Sequence, residues 1–192
     1  MPTTSRGPGS VAATLALALG ACAAAPEGSP KVPSGERAPA AAPSESPRLP
    51  NGEPVLRMPF PAGVAAFCQQ GNASPPGHSH AAPNAHHALD LSTPGRLQTP
   101  IVAAASGKVV RVVTGAIAGA RLPGGGFGNQ VVVDHGRGFT TFYAHLADVS
   151  AREGEAIAQG GPLGTMGETG QACNVHLHFS LHAAPWPDVG AP

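Results

Sequence analysis

The apolar positions of this chain are grouped into short segments that are rich in β-branched and aromatic residues. They cover residues 101–104, 109–113, 131–133 and 139–145, and glycine-rich stretches separate them. Short segments of this composition, bounded by turn residues, are typical of strands, and no long segment has helical periodicity. The pattern therefore predicts one all-β domain over residues 55–192.

The segment at 174–181 alternates polar and apolar side chains with period two. In a strand, His176, His178 and Ser180 share one face, while Leu177 and its apolar neighbours share the other, which can be buried. Two imidazoles fixed side by side on a packed strand suit a metal site. The alternative is a pair of solvated histidines on an exposed strand face.

A second group of possible metal ligands lies about ninety residues upstream. His86 and Asp90 are four positions apart and share a face in either a strand or a helix, and Ala88 between them is small enough to leave space for a cation. Two imidazoles and one carboxylate form a three-ligand zinc site that keeps a fourth position open for water. The predicted ligands are therefore His86, Asp90 and either His176 or His178.

A further histidine ends the predicted strand at 139–146. A zinc hydrolase needs one group that accepts the proton of water and one that stabilises the oxyanion, and histidine can do either near neutral pH. His145 and the non-ligating histidine of the 176/178 pair are the candidates. His78 and His80 form another His-x-His pair, but their loop is rich in glycine, proline and serine, which predicts solvated side chains.

Five motifs in register over residues 84–182 resemble the lysostaphin-type (LytM-type) zinc endopeptidases, which cut peptidoglycan peptides. Each motif is weak alone, but five in the right order and spacing are highly specific. The motifs are His86–Asp90, Thr99–Val109, Gly128–Gly136, Tyr143–Leu146, and Gly167–Gly170 followed by His176–Phe179.

The resemblance implies a compact antiparallel β-sheet core with a loop-lined groove. It also implies one Zn²⁺ per chain, with His86, Asp90 and His178 as ligands and with His145 and His176 as the catalytic pair. The implied activity is hydrolysis of peptide bonds in peptidoglycan, for remodelling or lysis of the cell wall. The alternative is a catalytically silent regulator that activates a separate cell-wall amidase, as in family members that have lost ligands.

Two positions depart from the family pattern. Ala88 stands where the family has glycine, and we expect it to be tolerated because the position needs a small residue more than an unusual backbone. Residues 173–175 replace a Ser-Thr-Gly-Pro sequence next to the site. The long glycine-rich loop at 114–128 is predicted to form one wall of the groove.

Residues 1–21 are predicted to be a lipoprotein signal peptide. Val11–Leu19 is an apolar stretch of nine residues, which suits a signal peptide and is too short to span a bilayer. Leu19-Gly20-Ala21-Cys22 resembles a bacterial lipobox, so Cys22 is the predicted lipidation site; an ordinary signal peptide is the alternative. The expected location is the cell envelope, at the outer membrane facing the periplasm if the source is Gram-negative.

Residues 22–54 are predicted to be a disordered linker. Eight of the 32 residues from 23 to 54 are proline, and the segment has no aromatic residue and no apolar periodicity. Such a composition cannot bury enough apolar surface to offset the entropy of ordering.

The charge excludes one class of partner, and the cysteine content indicates a possible disulfide. The net charge is zero, only 11% of residues are charged, and no basic cluster exists, which argues against nucleic-acid binding. An oxidising envelope would permit a disulfide between Cys68 and Cys173, the alternative being two buried thiols. The sequence does not indicate a protein partner.

Overall fold

The computed structural model describes residues 44–71, 80, 85, 87–95 and 98–183, which all belong to the unit Gly35–Pro192. The predicted signal peptide, Cys22 and His86 lie outside the described residues. Nine strands form one sheet, and the described residues contain no helix, which confirms the all-β prediction. The strands are β1 (Phe67–Gln70), β2 (Leu89–Ser92), β3 (Pro100–Val102), β4 (Gly107–Val113), β5 (Asn129–Asp134), β6 (Thr140–Val149), β7 (Ala156–Ile157), β8 (Pro162–Met166) and β9 (Leu177–His182).

All strand pairs are antiparallel, as the family resemblance implies. The main path through the sheet runs β1-β2-β9-β6-β5-β4-β7, while β8 pairs with both β6 and β3. Strand β9 lies between β2 and β6, so three segments that are distant in the sequence become neighbours.

The two faces of the sheet have different roles. One face carries the main hydrophobic core, to which Tyr143, Leu177 and Phe179 belong. Full burial of a leucine or phenylalanine side chain contributes about 1.5–3 kcal/mol, so this face accounts for much of the stability. The opposite face carries a smaller cluster made of Val132, Phe142 and Ala144. The alternation predicted for β9 is thus confirmed by its buried leucine and phenylalanine.

The first described residues, which belong to the predicted linker, form hydrogen bonds with residues next to β4 and β5. The Ser46 amide donates to Ser106 Oγ at 2.6 Å, and the Ser106 amide donates to Ser46 Oγ at 2.7 Å. The Arg48 guanidinium donates to the carbonyl oxygen of His135. Residues 46–48 therefore pack on the domain. In the part of the chain that the structure describes, no helix could cross a membrane.

A series of buried hydrogen bonds links the segment before β4 to the end of β5 and to β6. His135 Nδ1 donates to the carbonyl oxygen of Ser106 at 2.8 Å, and its Nε2 lies 2.8 Å from Thr141 Oγ1. Thr141 in turn hydrogen-bonds to the Tyr143 hydroxyl, which accepts from the amide of Ala104. Burial raises the pKa of Tyr143 to about 12 and lowers the pKa of His135.

We expect His135 to make the fold sensitive to acid. Its pKa in the folded state lies below the unfolded value of 6.5, so the unfolded chain binds more protons as the pH falls. The stability that His135 contributes is therefore present above about pH 6.5 and is lost below it. Urea unfolding of metal-free protein at pH 7.5 and 5 should show a smaller loss of stability for His135→Gln than for the wild type. Parallel pH dependences in the two proteins would contradict this expectation.

Candidate metal centre

The centre of the site is a pair of residues that lie directly opposite each other on β2 and β9. Asp90 and His178 are register partners, and their Oδ1 and Nδ1 atoms are 3.1 Å apart. Both are buried, with 8% and 3% exposure. Burial alone would raise the pKa of Asp90, but hydrogen bonds from His178 and His80 and the nearby His176 ring hold it well below its usual value. Burial lowers the pKa of His178. An ionised carboxylate and a neutral imidazole are the forms that bind metals.

His80 supplies a third donor atom. Its Nε2 lies 3.1 Å from Asp90 Oδ2, and its ring packs edge-on against the His178 ring, with centroids 4.8 Å apart. The expectation that His80 is a solvated loop residue was wrong. The physical reason is that the second oxygen of the buried Asp90 carboxylate attracts a hydrogen-bond donor more strongly than a loop surface would.

The donor set fits a zinc ion. The ligand atoms of His80, Asp90 and His178 all lie within 4.8 Å of one another. Ligands about 2.0–2.1 Å from a tetrahedral zinc are roughly 3.3 Å apart, so a set within 4.8 Å needs only small side-chain adjustments to bind one ion. Nε2 of His176 and Nε2 of His178 are buried and have no hydrogen-bond partner among the described residues. The orphaned Nε2 of His178, beside a carboxylate, is what a cation would satisfy, while Nε2 of His176 stays available to the reaction.

The structure brings together four of the five site residues that the sequence predicts. These are Asp90, His145, His176 and His178; the fifth, His86, is not described. Ala88, between His86 and Asp90, is fully buried. Among the described non-glycine residues, only Arg137 and His145 have positive φ. Position 88 is therefore occupied by a small, buried side chain and does not adopt the positive φ that would require glycine.

A β-bulge aims His145 into the site. Asn129 pairs with Leu146 and Val131 pairs with Tyr143, so two residues of β6 lie opposite one residue of β5. His145 itself has φ of 61°, in the left-handed region that residues other than glycine seldom adopt. Bulges next to active sites re-aim side chains, and backbone strain persists where surrounding contacts enforce it.

Those contacts come from two glycine-containing motifs. The His145 Nδ1 atom donates to the carbonyl oxygen of Thr169 at 2.7 Å, and the His145 amide donates to the carbonyl oxygen of Phe127 at 2.9 Å. Thr169 Oγ1 accepts from the Asn129 amide and donates to the carbonyl oxygen of Leu146. Burial and the neighbouring His176 lower the pKa of His145 to about 4. Sequence reasoning did not assign these roles to Thr169 and Asn129, although both stand in the quoted motifs.

His176 lies just before β9 and is anchored by its own loop. Its amide donates to the carbonyl oxygen of Gly167 at 3.1 Å, and its Nδ1 donates to the carbonyl oxygen of Asn174 at 2.9 Å. Its Nε2 is 3.5 Å from Asp90 Oδ1. The rings of His145 and His176 have centroids 4.8 Å apart. Both histidines therefore bind a carbonyl through Nδ1 and leave Nε2 available toward the site.

The site lies in an open groove of about 460 Å³. Gly125, Gly126 and Phe127 line one side, which confirms that the 114–128 loop forms a wall. This wall is in backbone contact with the 167–171 loop: the Gln171 amide donates to the Gly126 carbonyl oxygen at 2.7 Å, and a Cβ on Gly170 would collide with that oxygen. The amide side chains that line the groove are Gln69, Gln70, Gln171 and Asn174.

The predicted disulfide is not formed. Cys68 and Cys173 are both free and exposed. On β1 it is Gln69, not Cys68, whose side chain reaches the loop of Cys173, by accepting a hydrogen bond from Asn174 at 3.1 Å. The Cys68 thiol instead donates to the carbonyl oxygen of Gln70. The alternative of two buried thiols is also wrong, because both side chains are exposed.

Comparison with known proteins identifies the family. The sequence model of peptidase family M23 matches residues 84–187, which are more than half of the chain. The chain belongs to peptidase family M23. This confirms the resemblance to lysostaphin-type enzymes, and metallopeptidases of the M23 family depend on zinc.

Relatives in the M23 family include proteins of the bacterial envelope. The chain is 30% identical over 96 residues to peptidoglycan DD-endopeptidase ShyA of Vibrio cholerae, covering 50% of this chain and 20% of ShyA. It is 37% identical over 93 residues to lipoprotein YgeR of Escherichia coli, covering 48% of this chain and 33% of YgeR. The chain thus spans a third or less of the length of these relatives. A chain of the SpoIIIAH–SpoIIQ complex has the same fold, with 20% identity and a TM-score of 0.51 over 67% of this chain and 92% of that one.

We expect removal of either paired ligand to empty the M23 metal site. Purified Asp90→Ala and His178→Ala should each contain no zinc by elemental analysis, whereas the wild type should contain one ion per chain. The third ligand can be identified in the same way: His80→Ala should lose the zinc, because His80 is the third donor of the described set, and His86→Ala should keep it. If His86→Ala loses the metal and His80→Ala keeps it, the third ligand is His86, as the motif spacing predicts.

Proposed function

We propose that this protein is a zinc-dependent endopeptidase that hydrolyses peptide bonds of peptidoglycan. The observation that carries the proposal is the position of His145 and His176, paired with centroids 4.8 Å apart beside the Asp90–His178 pair. A site that only bound metal would not need two further buried imidazoles, each held through Nδ1 by a backbone carbonyl group. Membership of family M23 and the similarity to ShyA support the choice of substrate.

The metal would be held by Asp90, His178 and His80, the donor set whose ligand atoms lie together. His86, the third ligand that the motif spacing predicts, is the alternative that the zinc analysis of the two alanine variants tests. Zinc bound there would polarise the scissile carbonyl group and lower the pKa of the attacking water toward neutrality. The Asp90 carboxylate contributes negative charge to the metal centre and holds the His178 ring in place through the contact at 3.1 Å.

His145 and His176 would handle the proton and the developing negative charge. Each ring has its Nδ1 proton engaged by a backbone carbonyl, so the neutral ring presents a lone pair at Nε2. One ring can therefore accept the proton of the attacking water. The resulting imidazolium can donate a hydrogen bond to the oxyanion, and the carbonyl at its Nδ1 stabilises the added charge. Because the rings are so close, two simultaneous positive charges are disfavoured, and the pair would accept at most one proton beyond the two that it holds at Nδ1.

Replacing either of the two histidines that do not bind the metal, His145 or His176, should greatly reduce activity without removing zinc. We expect His145→Ala and His176→Ala to keep one zinc per chain and to lose hydrolysis by roughly a hundredfold to ten-thousandfold, since each removes a proton-transfer or oxyanion group. His178→Ala is the matched comparison, because it lies on the same strand face but should lose metal and activity together. Digestion of defined muropeptides, followed by mass spectrometry, measures the rate and identifies the bond.

Two results would contradict this assignment. If all three variants hydrolyse muropeptides at near-normal rates, these residues do not carry the reaction. If the zinc-loaded wild type cleaves no muropeptide but stimulates a cell-wall amidase, the protein is the silent regulator and not an endopeptidase.

We also propose that the protein is anchored in the cell envelope through a lipid on Cys22. The support is the sequence Leu19-Gly20-Ala21-Cys22 after a predominantly apolar segment of nine residues, together with the similarity to the lipoprotein YgeR. The proline-rich segment that follows would act as a spacer, at about 3.1 Å per residue where it is extended. The protein would then face the periplasm from the outer membrane in a Gram-negative cell.

Replacing Cys22 should release the protein from membranes. We expect Cys22→Ser to appear in the soluble envelope fraction, because acyl chains contribute about 0.8 kcal/mol per buried methylene and the variant has none. Cys68→Ser is the control and should stay with the membranes. Continued membrane association of Cys22→Ser would contradict the lipid anchor.

A further inference from the structure

The geometry points to Gln69 as a positioning residue for His176. We infer that Gln69 holds the loop that fixes the ring of His176, and that β1 is therefore part of the catalytic unit although it precedes the family-matched residues 84–187. The inference rests on the proposed function for its effect on rate. It goes beyond that function because neither the family motifs nor the predicted site residues include Gln69.

A bulge in β1 places Gln69 where it can do this. Cys68 pairs with Leu91 and Gln70 pairs with Asp90, so Gln69 is an extra residue between two consecutive pairs. Such an irregularity re-aims the side chain of the extra residue. Gln69 is half-buried and lines the groove, next to the strand that carries Asp90. This is the second bulge that borders the site, after the one that aims His145.

The Gln69 amide joins two strands to the loop before β9. Its Oε1 accepts from Asn174 Nδ2 at 3.1 Å, and its Nε2 donates to Ser92 Oγ. Ser92 is buried, and its hydroxyl donates to the carbonyl oxygen of Val175 at 3.2 Å. The two residues that precede His176 are therefore both held from the β1–β2 side, one through its side chain and one through its backbone.

The same loop determines which nitrogen of His176 is free. The Asn174 carbonyl accepts the Nδ1 proton of His176 at 2.9 Å, which leaves Nε2 as the nitrogen that faces the site. Asn174 is an exposed loop residue, so little packing fixes its carbonyl once the bond to Gln69 is lost. A shift of that carbonyl would allow the other tautomer and rotate the ring. Because a misplacement of about 1 Å can cost a hundredfold in rate, this small amide pair can control turnover.

The test compares two substitutions of Gln69 in the full-length, zinc-loaded protein. Gln69→Met keeps the length of the side chain but removes both hydrogen bonds, whereas Gln69→Glu keeps an acceptor for Asn174. Cys68→Ser, on the same strand, is the matched control. We expect Gln69→Met to lower kcat about tenfold to a hundredfold with little change in KM, zinc content or Tm. Gln69→Glu should restore most of kcat, and Cys68→Ser should match the wild type.

A second readout does not depend on hydrolysis. Long-range ¹H–¹⁵N spectra of the histidine rings should show His176 protonated at Nδ1 in the wild type and a mixture of tautomers in Gln69→Met. If the wild type cleaves no muropeptide, the proposed function fails, and the tautomer of His176 alone decides the role of Gln69.

Two outcomes would overturn the inference. The first is a Gln69→Met variant with the kcat and the His176 tautomer of the wild type. The second is a loss of kcat that comes with equal losses of zinc and Tm and that Gln69→Glu does not restore, which would show a merely structural role.

Discussion

The site depends on the register between β2 and β9. Asp90 and His178 lie directly opposite each other, and this one pairing sets the distance between a buried carboxylate and a buried imidazole. Because side chains alternate with period two, a register slip of one residue would turn Asp90 toward the core face and away from His80 and His178. The slip would also turn Leu91 away from the main core. Burial of apolar residues on one face thus fixes the arrangement of polar residues on the other.

The position of β9 extends this register to the rest of the site. On its other side, β9 pairs with β6, and Ala144 lies opposite His178. The small side chain of Ala144 leaves the space above His178 to the imidazole of His145, which a bulge turns inward. Asp90, His178 and His145 therefore lie on three adjacent strands, while His176 lies in the loop just before β9. Loop carbonyl groups supply the bonds that fix the orientation of the His145 and His176 rings.

The sequence predicted the parts of this arrangement that are local. The alternation around His178 identified β9 and its two faces, and the motif spacing identified Asp90, His145 and His176. What it could not predict depends on contacts between distant segments. No pattern around His145 signals a left-handed backbone, since the conformation is imposed by Phe127 and Thr169.

The same limit explains the misassigned residues. The loop composition around His80 is that of a solvated segment, yet the buried carboxylate of Asp90 draws its ring into the site. Likewise, the cysteine count suggested a link between β1 and the loop before His176. The link exists, but an amide pair makes it, because a bulge turns Gln69 toward Asn174.

The attachment of residues 46–48 has a mechanical consequence. A chain pulled from its N-terminal side would load the Ser46–Ser106 and Arg48–His135 hydrogen bonds first. Both lie at the β4–β5 end of the sheet, and the force would pass along those strands before it reached β2 and β9. Tension on the proposed lipid tether would therefore be borne by a part of the sheet that carries none of the candidate site residues, and the groove would keep its shape while the protein is pulled.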